Sequence, residues 1–293
     1  MRLSDSLACL SALILTCIAH DAAQAAQSRA PQAAPAARRP ITLDDYYAIK
    51  EVSSVELSPD GRMSVYVVRT IDRNLDDRTS TLWRVPVAGG TPQQLTSGSR
   101  MASTPRFAPD GRHVAFLAEA DDESQVFILP AGGGEAFKVT ALPGGVSDFD
   151  WSPDSRRLVL VSGEPTTDGR EGTQAAVAVD RAPRRPTPNP IVVTRLRHKE
   201  DGIGYLTRQH EHLYLADIGT ALDTSGDRTA IATPLTTGSY DEGSPAWSPD
   251  GRTIAFTSNR SNEPDDNYDL DVWTVDIASS QIERVTSDPG EDT

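Results

Sequence analysis

From residue 41 onward the chain is built from short runs in which apolar and polar positions alternate, separated by clusters of Gly, Pro, Asp and Ser. Alternation of period two predicts half-buried β-strands, and the clusters predict turns. The runs recur in a fixed order. LSPDGRMSVY (57–66), FAPDGRHVAF (107–116), WSPDSRRLVL (151–160) and WSPDGRTIAF (247–256) are four versions of one phrase. Each is followed by a strand with a central aromatic residue: Trp83, Phe127, Tyr214 and Trp273. A last strand then ends at Thr96, Thr140, Thr236 and Thr286. One unit therefore has four strands: one before the phrase's turn, one after it, the aromatic strand and the strand ending in Thr. A four-stranded unit repeating every roughly 40 to 50 residues is a β-propeller blade. The recurrence of an aromatic at one blade position predicts packing between blades.

The turn is encoded locally. Proline sets the φ angle that a type I turn needs at its first corner and has no N–H to leave unpaired. The following Asp60, Asp110, Asp154 and Asp250 can accept nearby backbone N–H groups. Gly61, Gly111 and Gly251 supply the left-handed residue that closes the turn. The third copy has Ser155 in that place. A left-handed serine costs about 1 kcal/mol, so the third turn is expected to be the least regular.

Spacing locates an irregular blade. From turn Asp to aromatic the separations are 23, 17, 60 and 23 residues, and from aromatic to Thr they are 13, 13, 22 and 13. The simplest assignment is blades at about 52–97, 102–141, 146–237 and 243–287, the third carrying an insertion at 163–209. The insertion begins loop-like and ends in IVVTRLRHKEDGIGYLT (191–207), which reads as a hairpin turning at Asp201-Gly202. Arg195 and Arg197 alternate with Leu196 and so share one face. The fold class is thus all-β: a propeller with about four four-stranded blades, incomplete, because residue 293 falls where another first strand is due. A short helix precedes it, with Thr42 as N-cap, Asp44 and Asp45 in the first turn, and an end near Lys50.

The N-terminus reads as a secretory signal over residues 1–25: Arg2, an apolar run over 7–19, then Ala23-Gln24-Ala25 as a cleavage site. Its apolar run is too short to span a bilayer comfortably. Residues 26–40 are Ala/Pro-rich and read as a disordered linker, leaving 41–293 for the propeller. Cys9 and Cys17, the two cysteines of the chain, leave with the signal, so the mature protein has neither disulfide nor thiol chemistry. A secreted or periplasmic protein, free of the membrane after cleavage, follows. The net charge of −14 argues against a nucleic-acid surface.

Two constellations invite a chemical reading. His210-Glu211-His212 places two imidazoles on one strand face, but neither a third ligand nor HExxH is visible, and no metal or cofactor is expected. Glu263, Asp265, Asp266, Asp269 and Asp271 form an acidic loop in the fourth blade. It reads as a solvated linker loop or one held by caps within the loop and pairs with Arg260, as a carboxylate seat for a peptide's free amine, or as a calcium loop lacking the EF-hand Gly and Glu.

The phrase repeats, the opening ITLDDYYAIKEVSSVELSPDGR, the hairpin TRLRHKEDGIGYL and the run SPAWSPDGRTIAFTSNRSNEPDDNYDLDVWTVD together resemble the propeller part of the prolyl oligopeptidase family. The nearest branch is its acylaminoacyl-peptidase and dipeptidyl-aminopeptidase-like members. That resemblance implies a propeller restricting peptide entry to an α/β-hydrolase domain with a Ser, His and Asp triad. Candidate substrate contacts on the propeller are Arg195, Arg197 and Tyr205 of the hairpin, with Glu263, Asp265 and Asp266 of the acidic loop. No G-x-S-x-G occurs in the 293 residues, so no catalytic residue is assigned and the chain is not expected to hydrolyse peptides by itself. A peptide substrate and the hydrolase domain are the implied partners. The alternative is a TolB-like periplasmic propeller acting as a protein-binding module.

Overall fold

A computed structural model describes residues 39–73, 77–97, 101–121, 123–164, 196, 199–200, 204–205, 210–223, 226, 228–287 and 290–292. The signal segment, nearly all of the linker, and Arg195 and Arg197 lie outside the described residues.

Helix α1 spans Leu43–Ala48. Only one half of a capping box forms at its start: the Asp45 carboxylate accepts the Thr42 N–H at 2.8 Å and the Thr42 hydroxyl at 2.9 Å, while the Asp45 N–H donates to the Thr42 backbone carbonyl at 3.1 Å. Four antiparallel sheets follow. The first contains β1 (Glu51–Leu57), β2 (Met63–Asp72), β3 (Asp77–Pro86) and β4 (Gln93–Gln94). The second contains β5 (Ser103–Phe107), β6 (His113–Ala120), β7 (Glu123–Pro130) and β8 (Phe137–Lys138). The third begins with β9 (Asp148–Trp151) and β10 (Arg157–Gly163). After a separate two-stranded hairpin, β11 (Lys199–Glu200) and β12 (Gly204–Tyr205), it resumes with β13 (Glu211–Asp217), helix α2 (Gly219–Asp223) and β14 (Ala232–Pro234). The fourth contains β15 (Glu242–Trp247), β16 (Thr253–Ser258), β17 (Asp271–Asp276) and β18 (Ile282–Arg284).

Each sheet is laid out in chain order, as a propeller blade is, and the innermost strands β1, β5, β9 and β15 are neighbours in succession. The chain is an incomplete propeller. Helix α2 occupies the extra span after the third aromatic strand; the Asp217 carboxylate starts it by accepting the Gly219 N–H at 2.9 Å.

The blades stack with a polarity that the repeat predisposes. Side chains alternate across each sheet, so Phe116 and Phe127 of blade two share a face, and that face packs on Val65, Val67 and Leu82 of blade one. The opposite face of blade two, with Ala115, Leu117, Val126 and Ile128, receives Phe149, Trp151, Leu158 and Leu160 of blade three. Blade three offers Val159, Val161 and Leu213 to Ile254, Phe256 and Trp273 of blade four. Each joint therefore sets an aromatic-bearing face on the aliphatic face of the preceding blade. Burying one such Leu or Phe side chain is worth about 1.5–3 kcal/mol. Tyr66 and Trp83, the equivalent pair in blade one, belong to none of these clusters among the described residues.

The third turn corrects the expectation of irregularity. Ser155 is left-handed, with φ 59°, yet its turn closes like the others: the Ser155 N–H donates to the Ser152 carbonyl at 2.9 Å, as the Gly251 N–H does to Ser248. The reason is tertiary. Ser155 is buried, and its hydroxyl oxygen accepts the Asp110 N–H of the preceding blade's turn at 3.0 Å. The irregularity lies instead in the inner strands. β1, β5 and β15 carry bulges at left-handed Ser54, Thr104 and Ser244, whereas β9 pairs without interruption.

Candidate functional site

Antiparallel order places the connections from second to third strand of every blade at one end of the propeller and the Pro-Asp turns at the other. The acidic-loop candidates Glu263, Asp265 and Asp266 sit on a connection at the first of these ends. The acidic loop of blade four, between β16 and β17, is knitted by two asparagines. The Asn259 amide donates to the Asn267 side-chain oxygen at 2.8 Å, and the Asn259 side-chain oxygen accepts the Ser261 hydroxyl at 2.8 Å. The Asn267 amide donates to the Glu263 carbonyl at 2.7 Å. The loop presents Glu263 and Asp266 exposed and Asp265 half-buried.

Asp265 accepts a hydrogen bond from the backbone N–H of Leu196, the residue between the two candidate arginines. The third-blade insertion and the fourth-blade loop are thereby brought together. Tyr205 pairs through its backbone with Lys199, so the expected hairpin is present. The side chain of Tyr205 lies outside the described residues, as do Arg195 and Arg197. Arg260, offered above as a partner for the acidic loop, turns elsewhere.

It enters a buried polar cluster that reading the sequence missed. Glu242, at the start of β15, has a side chain 1% exposed. The Arg260 guanidinium reaches one of its oxygens at 2.7 Å. The other oxygen accepts the Thr236 hydroxyl at 2.9 Å and lies 2.7 Å from His212 Nδ1. The guanidinium also stands 5.0 Å from the Trp273 ring centroid and 5.4 Å from that of Tyr240. The one sequence signal was His212 itself, an imidazole at an inward position of an apolar strand, and it did not name its partners. His210 pairs with Asp241 at 3.2 Å. Among the described residues no group of three or more His, Cys, Asp or Glu is placed to hold a metal ion.

The inner strands line up a second set of charges. The position before each turn's leading aromatic or leucine is Glu56, Arg106, Asp150 and Ala246 in successive blades. Arg106 donates to Asp148 at 2.9 Å and contacts Asp150 at 3.5 Å. Burial pushes the Asp150 carboxyl above its usual range, against the Trp247 N–H and Arg106, which favour its ionised form. Burial does the same for Glu56, with Asp150 adding to it, and for Glu211, with Asp241 and Asp148 adding to it. The inner strands thus gather Glu56, Asp148 and Asp150 around Arg106; the sequence supplies no nucleophile elbow to accompany them.

Comparison with known proteins places this architecture. Residues 78–214 match the tricorn protease N-terminal β-propeller domain. The chain is 34% identical over 239 residues to the uncharacterized peptidase YuxL of Bacillus subtilis, covering 80% of this chain and 34% of the relative. It is 26% identical over 253 residues to dipeptidyl-peptidase 5 of Porphyromonas endodontalis, covering 84% and 35%. Among solved structures, the acylaminoacyl peptidase of Pyrococcus horikoshii superposes with a TM-score of 0.56 at 16% identity, over 83% of this chain and 33% of that one, a likeness of fold. The chain spans about a third of the length of the curated relatives it matches. Its propeller is similar to that of peptidase relatives, in keeping with the resemblance to the prolyl oligopeptidase family read from the sequence. Among the described residues no helix is long and apolar enough to cross a membrane.

Proposed function

We propose that this propeller is the substrate-gating part of a secreted serine peptidase that cleaves peptides or acyl-peptides. In that enzyme an α/β-hydrolase domain supplies the nucleophile, its base and the oxyanion donors. The observation that carries the reading is the junction of the third-blade insertion with the fourth-blade acidic loop, Leu196 on Asp265, at the end where the long connections gather. A rigid scaffold that presents long loops at one end is suited to sorting substrates, while the joints beneath stay fixed. Exposed Glu263 and Asp266 supply charge for a peptide's ammonium group, and Arg195, Arg197 and Tyr205 remain the proposed contacts from the insertion. Nucleic acid is not a partner of so acidic a surface.

The test is a peptidase assay on the product of the whole reading frame, with fluorophosphonate labelling of an active serine and peptides of increasing length. The same protein with residues 164–210 replaced by a short turn is run beside it. Labelling, cleavage of short peptides and a shift towards longer ones in the shortened protein are expected. No labelling and no cleavage would sink the reading in favour of a binding module. An unchanged length preference would remove the insertion from the gate.

A further inference from the structure

The buried cluster at the joint of blades three and four contains one nitrogen without a hydrogen bond. His212 is 2% exposed, and its Nε2 makes none, although Glu164 Oε1 lies only 3.3 Å away. The proton inventory explains this. Glu242 is held as a carboxylate by Arg260 and can only accept, so the His212 Nδ1 at 2.7 Å must carry the hydrogen of that bond. A neutral imidazole protonated at Nδ1 has a bare lone pair at Nε2. That lone pair then faces the Glu164 carboxylate, acceptor against acceptor, at ion-pair distance. A second proton on the ring would turn the same contact into a charge-assisted hydrogen bond.

We propose that His212 is a proton-operated latch: taking up a proton at Nε2 draws Glu164 onto the ring and fastens the end of β10 to the joint between blades three and four. The inference is independent of the peptidase reading above. Glu164 is the right residue to be moved. It follows the last residue of β10, its N–H donates to the His210 carbonyl at 3.0 Å, and half of its side chain is open to solvent. Burial first, and then the Glu164 charge, push the Tyr214 phenol of β13 up.

The charged and titratable groups around His212 come from every element packed there. Glu164 ends β10, His210 and Glu211 flank it along β13, Asp241 and Glu242 open blade four, and Arg260 follows β16. Thr236 and Ser258 complete the cluster as neutral donors, Thr236 to Glu242 and Ser258 to the Asp241 carbonyl. His210 has its own carboxylate and its ring centroid is 6.4 Å away, so it does not share the His212 proton. An imidazole is the side chain that ordinarily changes charge between about pH 5 and 8.

The experiment uses the full chain, uniformly labelled with nitrogen-15. Imidazole nitrogen spectra and amide exchange at Glu164 are followed from pH 8 to pH 5. At pH 8 His212 is expected as the Nδ1–H tautomer. At pH 5 both nitrogens are protonated, and the Glu164 amide exchanges several-fold more slowly after correction for intrinsic chemistry. Glu164→Gln, a half-exposed change that leaves the Glu242 bond intact, should erase the pH response of that amide. An Nε2–H tautomer at pH 8, corrected Glu164 exchange indifferent to pH, or the same response in the Gln variant would each overturn the latch.

Discussion

At one end of the propeller the blades turn through five residues that close with the same backbone bond each time, and with the same side-chain bonds wherever serine leads the turn; blade two has Ala108 there. The Asp60 and Asp250 carboxylates each accept the hydroxyl of the serine two residues earlier, at 2.6 Å, and the N–H two residues later, at 3.0 and 3.1 Å. At the other end the second and third strands are joined by anything from residues 121–122 in blade two to residues 164–210 in blade three. There the ordering comes from long-range pairs: His212 with Glu242, Arg260 with Glu242, Leu196 with Asp265. Local chemistry makes one end uniform and cheap to specify. Side chains far apart in the chain make the other end individual, and that is the end free to acquire specificity.

The comparison can be broken most forcefully at Glu242. Truncation by Glu242→Ala leaves the Arg260 charge and the His212 ring facing each other in a buried site. The expected loss is about 3–5 kcal/mol in denaturant unfolding. A loss below about 1 kcal/mol would mean that the long-range end is not held by this cluster.

The turn end should respond on a smaller scale and unequally at equivalent positions. Gly251 has φ 69°, and a methyl group there would meet only the Arg157 guanidinium at 3.5 Å and Pro153 at 3.8 Å. Gly251→Ala therefore costs the left-handed strain, about 1 kcal/mol. Ser155→Gly relieves that strain but gives up the bond from the Asp110 N–H, an exposed residue whose N–H water can satisfy. A change within about 0.5 kcal/mol of zero is expected. Comparing the two melting curves checks both; a large loss on Ser155→Gly would mean that the inter-blade bond matters more than the turn.

Acid distinguishes the ends more gently. Asp60 and Asp250 lie below the usual carboxylate range, held there first by the Ser58 and Ser248 hydroxyls and then by backbone N–H groups. Their contribution is present above the unfolded carboxylate value of about 4 and is lost as pH falls through their lower folded values. Asp150, Glu56 and Glu211 are raised, chiefly by burial. Their folded forms bind protons first, so stability rises as pH falls from above their folded values towards about 4. Melting temperature should therefore increase modestly from pH 7.5 to about 5 and drop below about 4. Asp150→Asn should flatten the rise and leave the drop; a rise of unchanged size would remove Asp150 as its source.

How much was legible in the sequence follows the same division. The turns, the four strands per blade and the hairpin at 199–205 could be read because proline, aspartate, glycine and strict alternation act within a few residues. The helix α2 was not read, since its five residues carry no pattern of their own beyond the Asp217 cap. In the candidate site, the acidic loop was visible as composition. Its knitting by Asn259 and Asn267, and the seating of Leu196 on Asp265, were not. Pairing of the acidic loop with Arg260 was one reading among several, because a nearby acidic run looks like a partner when distance along the chain is the only measure; Arg260 pairs instead with Glu242.

The sequence by itself determined the blade: its four strands, its turns, and which residues share a face, because each depends on backbone preferences and a period of two. Only the tertiary structure decided what those faces meet. It set aromatic faces on aliphatic ones, spared Ser155 its irregular turn, and drew His212 of β13, Glu242 of β15, and Thr236 and Arg260 from the segments after β14 and β16 into one buried cluster. The physical reason is that burial and low local dielectric reward such pairings only once the sheets are stacked, and no local pattern in the chain records which sheet stacks on which.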